Sequence, residues 1–386
     1  MRRIYLDHTA TTPLDPAVRE AMEPFFAETF GNASSVHWYG RQAKSALEKA
    51  RETIAKAIGA QPGEVFFTSG GTESNNFALR GAAHALSKKG KNHIITSAAE
   101  HHAVLEPCEQ LREEGFDVTV VPVDDHALVS PEQVSESINA KTALVSVMHG
   151  NNEVGSISFI KEIVQLVHSR GVPVHTDAVQ TVGKIPVDVN VLGVDMMTFS
   201  AHKLYGPKGI GALFIKKGTE IDPLLFGGGQ ERGKRPGTEN IALIVGFATA
   251  IELAVQRMEN ESTRLVSLRD ALEKEITARF SAAVVNGHPI NRLPHIVNIS
   301  FDSNKIQLEG EMLLMNMDLH GIAVTSGSAC TSGSMQPSHV LLAIGRDART
   351  AKATLRFAFG RSNTQADVTA VVETLGTILQ QMESGK

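Results

Sequence analysis

The feature that most constrains this chain is a regular alternation of short β-rich runs and amphipathic stretches between residues 64 and 217. The runs expected as strands are Val65–Ser69, His93–Ala98, Val118–Val123, Ala143–His149, Val172–Asp177, Met196–Ser200 and Ile210–Ile215. Segments with helical spacing, such as Thr72–Leu86, His102–Glu114 and Ile160–Arg170, lie between them. This spacing predicts an α/β fold with a mostly parallel sheet covered by helices on both faces. Ligands of such sheets gather at the carboxyl ends of strands, where loops and helix N-termini converge.

After Arg257 the texture changes. Leu265, Leu268, Leu272 and Ile276 recur at helical spacing, followed by strand-like Ile296–Phe301 and Thr354–Phe357 and a last helical stretch over Thr364–Gln381. The pattern predicts a large lobe over residues 14–257 and a smaller α+β lobe built from 1–13 and 258–386. A chain of 386 residues that is 42% hydrophobic has enough apolar surface for two packed cores. The apolar stretch Ile241–Val255 contains Glu252 and is expected as a buried helix too short to span a bilayer.

A net charge of −5 leaves no basic footprint, so no direct nucleic-acid binding is expected. Met1-Arg2-Arg3 runs straight into Ile4-Tyr5-Leu6, without the apolar segment of a secretory signal. The two cysteines, Cys108 and Cys330, form neither a disulfide framework nor a Cys-x-x-Cys pair. A reducing, cytoplasmic setting is expected, where a lone thiol stays reactive.

Three patterns mislead. Gly228–Lys234 approaches a phosphate-loop motif, but Arg235 stands where Ser or Thr would bind magnesium. Gly206-Pro-Lys-Gly209-Ile-Gly211 precedes a strand, the wrong order for a dinucleotide fingerprint. His101 and His102 are adjacent and have no partner set with metal-ligand spacing, so no metal is expected.

The chemistry concentrates at strand ends. Thr68-Ser-Gly70-Gly71-Thr72-Glu-Ser-Asn75 is a strand end, a glycine turn and a helix start, which together suit an anion such as phosphate. A plain capping turn would look similar. Asp177 stands where another strand ends, and a buried carboxylate there suits a cationic partner such as a pyridinium N–H; an Asp capping the next turn would look the same. In Ser200-Ala-His202-Lys203, a lysine beside a glycine-rich turn suits a Schiff-base amine; Lys208, after Gly-Pro, looks solvated. Cys330 lies in a Ser/Gly/Thr segment that cannot bury a core, whereas Cys108 fits an apolar helix face.

With these residues in hand, the chain resembles a group I cysteine desulfurase, a fold-type I pyridoxal-phosphate enzyme of the class-V aminotransferase family. The resemblance runs nearly end to end. It is carried by Tyr5–Pro13, Thr68–Asn76, Glu100-His101, Asn151-Asn152-Glu153-Val-Gly155, Asp177–Gln180, Ser200–Lys203, Arg232–Asn240 and, above all, Thr325-Ser-Gly-Ser-Ala-Cys330-Thr-Ser-Gly333. Two small departures are His8, where related chains vary, and Gly71, where alanine is frequent.

The resemblance implies pyridoxal 5'-phosphate as cofactor, L-cysteine as substrate and Cys330 as the residue that accepts sulfur as a persulfide. It implies that Lys203 holds the cofactor and moves a proton, that His101 stacks on its ring and handles a proton, and that Asp177 faces the ring nitrogen. Gly71, Thr72, Ser200 and His202 would bind the phosphate, with Thr238 reaching in from a partner subunit of a homodimer. Asn152 and Gln180 would contact the ring hydroxyl side. Asn152 and Arg356 would hold the substrate, the guanidinium clamping its carboxylate. A sulfur-acceptor protein would then draw on the persulfide for iron–sulfur clusters, tRNA thiolation or DNA sulfur modification. A selenocysteine lyase or another fold-type I enzyme is the nearest rival, and it would not need Cys330 to turn over L-cysteine.

Overall fold

The computed structural model describes residues 3–327, 330–331 and 334–384; of residues 330, 331, 334, 335, 383 and 384 it describes the backbone alone. The alternating region forms one seven-stranded sheet. Its order is Val65–Thr68, Gly211–Ile215, Met196–Ser200, Val174–Asp177, Thr142–Ser146, His93–Ser97, Asp117–Val121. Four neighbouring pairs are parallel, and only Gly211–Ile215 runs against both of its neighbours. Residues 201–210 are too few for a helical crossover, so the chain returns antiparallel there.

Helices cover both faces, and the central strands are apolar on both sides as a result. Thr142–Ser146 is buried at every position, whereas the edge strand Asp117–Val121 exposes Asp117 and Val120. The helix Gly71–Ser87 reaches the sheet through Ala78, Ala82 and Ala83, all fully buried. Small side chains on that face let the helix axis lie close to the strands.

A second apolar cluster gathers Leu265, Leu272, Ile276, Val297, Ile299, Phe357, Leu375 and Ile378. It packs around an antiparallel sheet of Thr354–Ala358, Ile296–Phe301 and Ala283–Val285. The chain's first residues return to it, since Ile4–Tyr5 pairs in parallel with Ile322–Ala323 and Leu6 is buried in the cluster.

The expected short helix over Ile241–Val255 is corrected. One helix of 39 residues runs from Ile241 to Arg279, and the boundary expected after residue 257 falls inside it. Ile244, Phe247 and Ile251 pack into the first core, while Leu265, Leu272 and Ile276 pack into the second. The shift from apolar to charged residues near 255 marks where the helix leaves one core before joining the other. No proline interrupts it. By length and composition this helix could cross a bilayer, and half of its most apolar window is buried within the protein.

Candidate active site

Five strands aim their carboxyl ends at one cavity of about 450 Å³, lined by Gly71, Thr72, His101, Asn152, Asp177, Gln180, Ser200, His202, Lys203 and Arg356. These residues come from six separate stretches of sequence, and the sheet topology brings them together.

At one end lies the glycine turn. Gly70 has φ +157°, and a Cβ on its strand neighbour Gly211 would sit 2.7 Å from the Gly70 Cα. A Cβ on Gly71 would meet Val179 at 3.0 Å. The turn thus leaves backbone exposed at the start of a 17-residue helix, as anion binding requires. Glu73 closes the turn from outside: it accepts the Ser69 N–H at 2.7 Å and pairs with Arg235 at 2.8 Å. His202, beside Ser200, reaches the Thr11 hydroxyl at 3.2 Å. Burial, with help from Lys203, Lys184 and Lys208, pushes the His202 imidazole down to about 4, so it meets an anion as a neutral ring.

Along the cavity, Asp177 is 6% exposed. Its Oδ1 accepts the Val179 N–H at 2.9 Å and its Oδ2 accepts the Asn75 amide at 2.7 Å. His101 caps the helix His102–Glu113, its Nδ1 accepting the Ala103 N–H at 3.0 Å. That bond leaves the ring proton on Nε2. Burial lowers the His101 pKa and keeps the ring neutral.

Lys203 points its amine at the carbonyls of Thr9 and Ala10, each at 2.5 Å. Burial first, and then Arg356, pull its pKa down to about 8. A lysine so placed loses its proton far more readily than a surface lysine, as a Schiff-base amine must. Lys208, by contrast, is exposed.

Several buried polar atoms of the wall lack a hydrogen-bond partner among the described residues, including Thr9 Oγ1, Asn75 Oδ1, Gln180 Oε1 and the Arg356 Nε–H. Gln180 donates to the Thr9 carbonyl at 3.0 Å, while its buried Oε1 has no hydrogen-bond partner. Arg356 donates to the Asn152 carbonyl and to Asp7, each at 3.0 Å, and its buried Nε–H is unpartnered. Such orphaned groups are costly unless a bound molecule satisfies them. An aromatic hydroxyl at Gln180 and a carboxylate at Arg356 would do so. With the anion turn and the paired acid, the cavity fits pyridoxal phosphate together with an amino acid.

One expected site residue stands apart, and the side chain of another lies outside the described residues. Thr238 is exposed on the loop before Ile241 and does not line this cavity. The backbone of Cys330–Thr331 pairs antiparallel with Ser334–Met335, and the Cys330 side chain lies outside the described residues. Upstream of it, Thr325 and Gly327 line the cavity. Cys108 is buried among Val104, Leu111 and Phe77, its thiol pushed up to about 12.

Asn75 also forms the wall, as do Thr9, Met148, Glu153 and His339, to which no pattern in the sequence assigns a role there. Asn75 carried a signal: it sits four residues after Gly71, on the helix face that meets the cavity. Thr9 acts through its carbonyl, which no side-chain pattern reveals.

Residues 4–371 match the aminotransferase class-V family. The cysteine desulfurase IscS of Dictyoglomus turgidum is 50% identical over 383 residues, covering 99% of this chain and 96% of that protein. This chain belongs to the class-V aminotransferases, in their cysteine desulfurase branch. Among solved desulfurase-like structures, a NifS-like protein has a TM-score of 0.91 at 39% identity, covering 98% of this chain and 100% of its own. SspA in complex with cysteine has a TM-score of 0.82 at 36% identity, covering 92% and 98%. The two lobes therefore form the fold-type I architecture that the resemblance implied.

Proposed function

We propose that this enzyme is a cysteine desulfurase that converts L-cysteine to L-alanine, transfers sulfur to Cys330 as a persulfide and passes it to an acceptor protein. The observation that carries this reading is the set Lys203, Asp177 and Arg356 on one cavity wall, with the Lys203 amine acidified and the Arg356 Nε–H unpartnered. SspA, a similar structure, holds cysteine.

Bound pyridoxal phosphate supplies an electron sink conjugated to the substrate. Lys203 anchors the cofactor, then takes the proton from the substrate Cα. Asp177, oriented by Asn75, would pair with the ring nitrogen, and His101 would hold the ring from one side. Gly71, Thr72, Ser200 and His202 would hold the phosphate, and Asn152 and Gln180 would bind the hydroxyl side. Arg356 grips the substrate carboxylate. In the sulfur step the Cys330 thiolate forms an S–S bond as the substrate Cβ–S bond breaks. The electron pair stays with the carbon fragment, which takes up protons and leaves as alanine.

The active form is a homodimer. Thr238, exposed away from its own cavity, completes the partner's phosphate site. Phe26, Phe30, Val36, Trp38 and Phe226, all large and exposed, supply apolar surface for the contact. A thiol that must stay reduced between turnovers favours a reducing cytoplasm as the setting. An acceptor protein then carries the sulfur toward products such as iron–sulfur clusters.

The test is turnover of L-cysteine by the purified, cofactor-loaded protein in the presence of a thiol reductant. Alanine and sulfide should appear in equal amounts. Turnover of selenocysteine with none of L-cysteine would replace this reading by that of a selenocysteine lyase.

A further inference from the structure

Glu153 follows the substrate-contacting Asn152 and is almost fully buried, yet nothing in the desulfurase chemistry above requires a carboxyl group there. Its backbone is locked from two sides. The Glu153 N–H donates to Asn151 Oδ1 at 2.9 Å, and its carbonyl accepts the Asn298 amide at 3.1 Å. The side chain is therefore held at a fixed point on the cavity wall.

Two residues far along the chain rest on that side chain. Ser338 donates its hydroxyl to Glu153 Oε2 in a short hydrogen bond. The same Ser338 oxygen accepts the N–H groups of Val340 and Leu341, so it also caps the helix His339–Ala343. Gly327 lies against the carboxyl from the other side: a Cβ built on it would fall 2.6 Å from Oε2 and 3.0 Å from Cδ. Its φ of +82° also disfavours any side chain. Just upstream, Thr325 pairs with Arg356, the residue that grips the substrate. Gly327 and Ser338 bracket the segment that carries Cys330, and both meet at one carboxyl group.

We infer that Glu153 is a positioning residue for sulfur transfer: it seats both ends of the Cys330 segment on the wall that also presents Asn152 and Arg356. A carboxyl suits this seat better than an apolar side chain because it accepts the Ser338 hydroxyl while leaving room for a backbone without a Cβ. Burial raises its pKa to about 7, so at neutral pH the seat holds as a partly protonated acid. Glutamine, of the same shape and with an oxygen acceptor, should replace it.

The inference rests on Cys330 as the sulfur acceptor, and the experiment separates the two. Cofactor-loaded wild type, Glu153→Ala, Glu153→Gln and Ser338→Ala are each mixed with L-cysteine. The visible absorbance change reads arrival of cysteine at the cofactor, and mass spectrometry of the Cys330 peptide reads persulfide loading. A reacting atom misplaced by about 1 Å slows a step by up to about 10²-fold. Glu153→Ala should slow loading at least about ten-fold while the cysteine concentration for half-maximal absorbance change stays within about two-fold. Glu153→Gln should load at close to the wild-type rate, and Ser338→Ala should fall between. Unchanged loading in both Glu153→Ala and Ser338→Ala overturns the inference, as does equal damage to cysteine binding and loading, or a Glu153→Gln as slow as Glu153→Ala. If Glu153→Ala does not fold, Ser338→Ala alone decides. A wild-type persulfide on a residue other than Cys330 overturns the acceptor assignment itself.

Discussion

Asn75 donates its side-chain amide to Asp177 Oδ2 across 2.7 Å, joining a helix face to a strand end 102 residues further along the chain. Both carboxylate oxygens of Asp177 thus have a donor from the protein, and the carboxylate plane is set before any ligand arrives. A hydrogen bond to a charged group contributes about 1.5–3 kcal/mol. Asn75→Ala should therefore loosen the cofactor by roughly ten-fold or more, read by equilibrium dialysis of pyridoxal phosphate. Asn75→Asp, which sets a second carboxylate beside the first, should retain it less well still. Wild-type retention in both variants would show that Asp177 needs no such support.

Lys203 should capture the cofactor at an unusually low pH. Its amine is pulled down to about 8 from an ordinary value of 10.5. Only the unprotonated amine attacks a carbonyl, so the rate at which the apoprotein turns yellow with pyridoxal phosphate should climb up to about pH 8 and level off above it. Arg356→Gln removes a neighbouring positive charge and should shift that midpoint upward. Lys203→Ala should form no covalent chromophore at any pH. A wild-type profile still rising at pH 10 would contradict the environment described for this amine.

Glu100 makes stability depend on pH in a direction opposite to most carboxylates. It is fully buried, and burial pushes its pKa up to about 8 from 4.5. Its Oε1 accepts from Ser97 and from the Met148 N–H, while Oε2 has no partner. The folded chain keeps a proton that the unfolded chain releases above pH 4.5, so this stabilisation is present below 4.5 and is lost as pH rises through about 8. The loss is on the order of a few kcal/mol. Glu100→Gln should flatten the decline of the apoprotein's thermal midpoint between pH 5 and 8. Parallel curves for the variant and wild type would remove Glu100 from the account.

The two cysteines should behave as opposites. Cys108 is buried with its thiol pushed up to about 12, so alkylating reagents should miss it in the native protein and label Cys330 instead. Cys330→Ser should keep the yellow colour and the absorbance response to L-cysteine while alanine and sulfide formation collapse. Cys108→Ser should stay active and lose about 1–3 kcal/mol of stability from burying a hydroxyl. Normal turnover by Cys330→Ser would require a different sulfur acceptor.

Much of the site was legible because its residues stand at strand ends, and strand ends show in a sequence as a β-rich run giving way to glycine or a polar residue. Gly71, Asp177, Ser200 and Lys203 were found that way, and all four line the cavity. Met148 and His339 line it too, but neither residue type at those positions signals a cavity wall. The extent of the helix Ile241–Arg279 was hidden for a different reason. Its composition changes where its surroundings change, and hydropathy reports surroundings rather than backbone continuity.

The pairing of Ile4–Tyr5 with Ile322–Ala323 has a consequence for biosynthesis. The first strand leaves the ribosome more than three hundred residues before its partner, and Asp7 waits longer still for its bridge to Ala358. The seven-stranded sheet has all of its strands by Ile215 and can condense during translation. The N-terminal segment has no strand to join until the C-terminal third emerges. Yet Thr9 and Ala10, in that same segment, hold the Lys203 amine. Thr12 of that segment also donates its hydroxyl to the His202 carbonyl and accepts the Tyr205 N–H, so the sheet lobe can hold the chain beside Lys203 early, and only residues 4–7 must wait for Ile322 and Ala358 to be made.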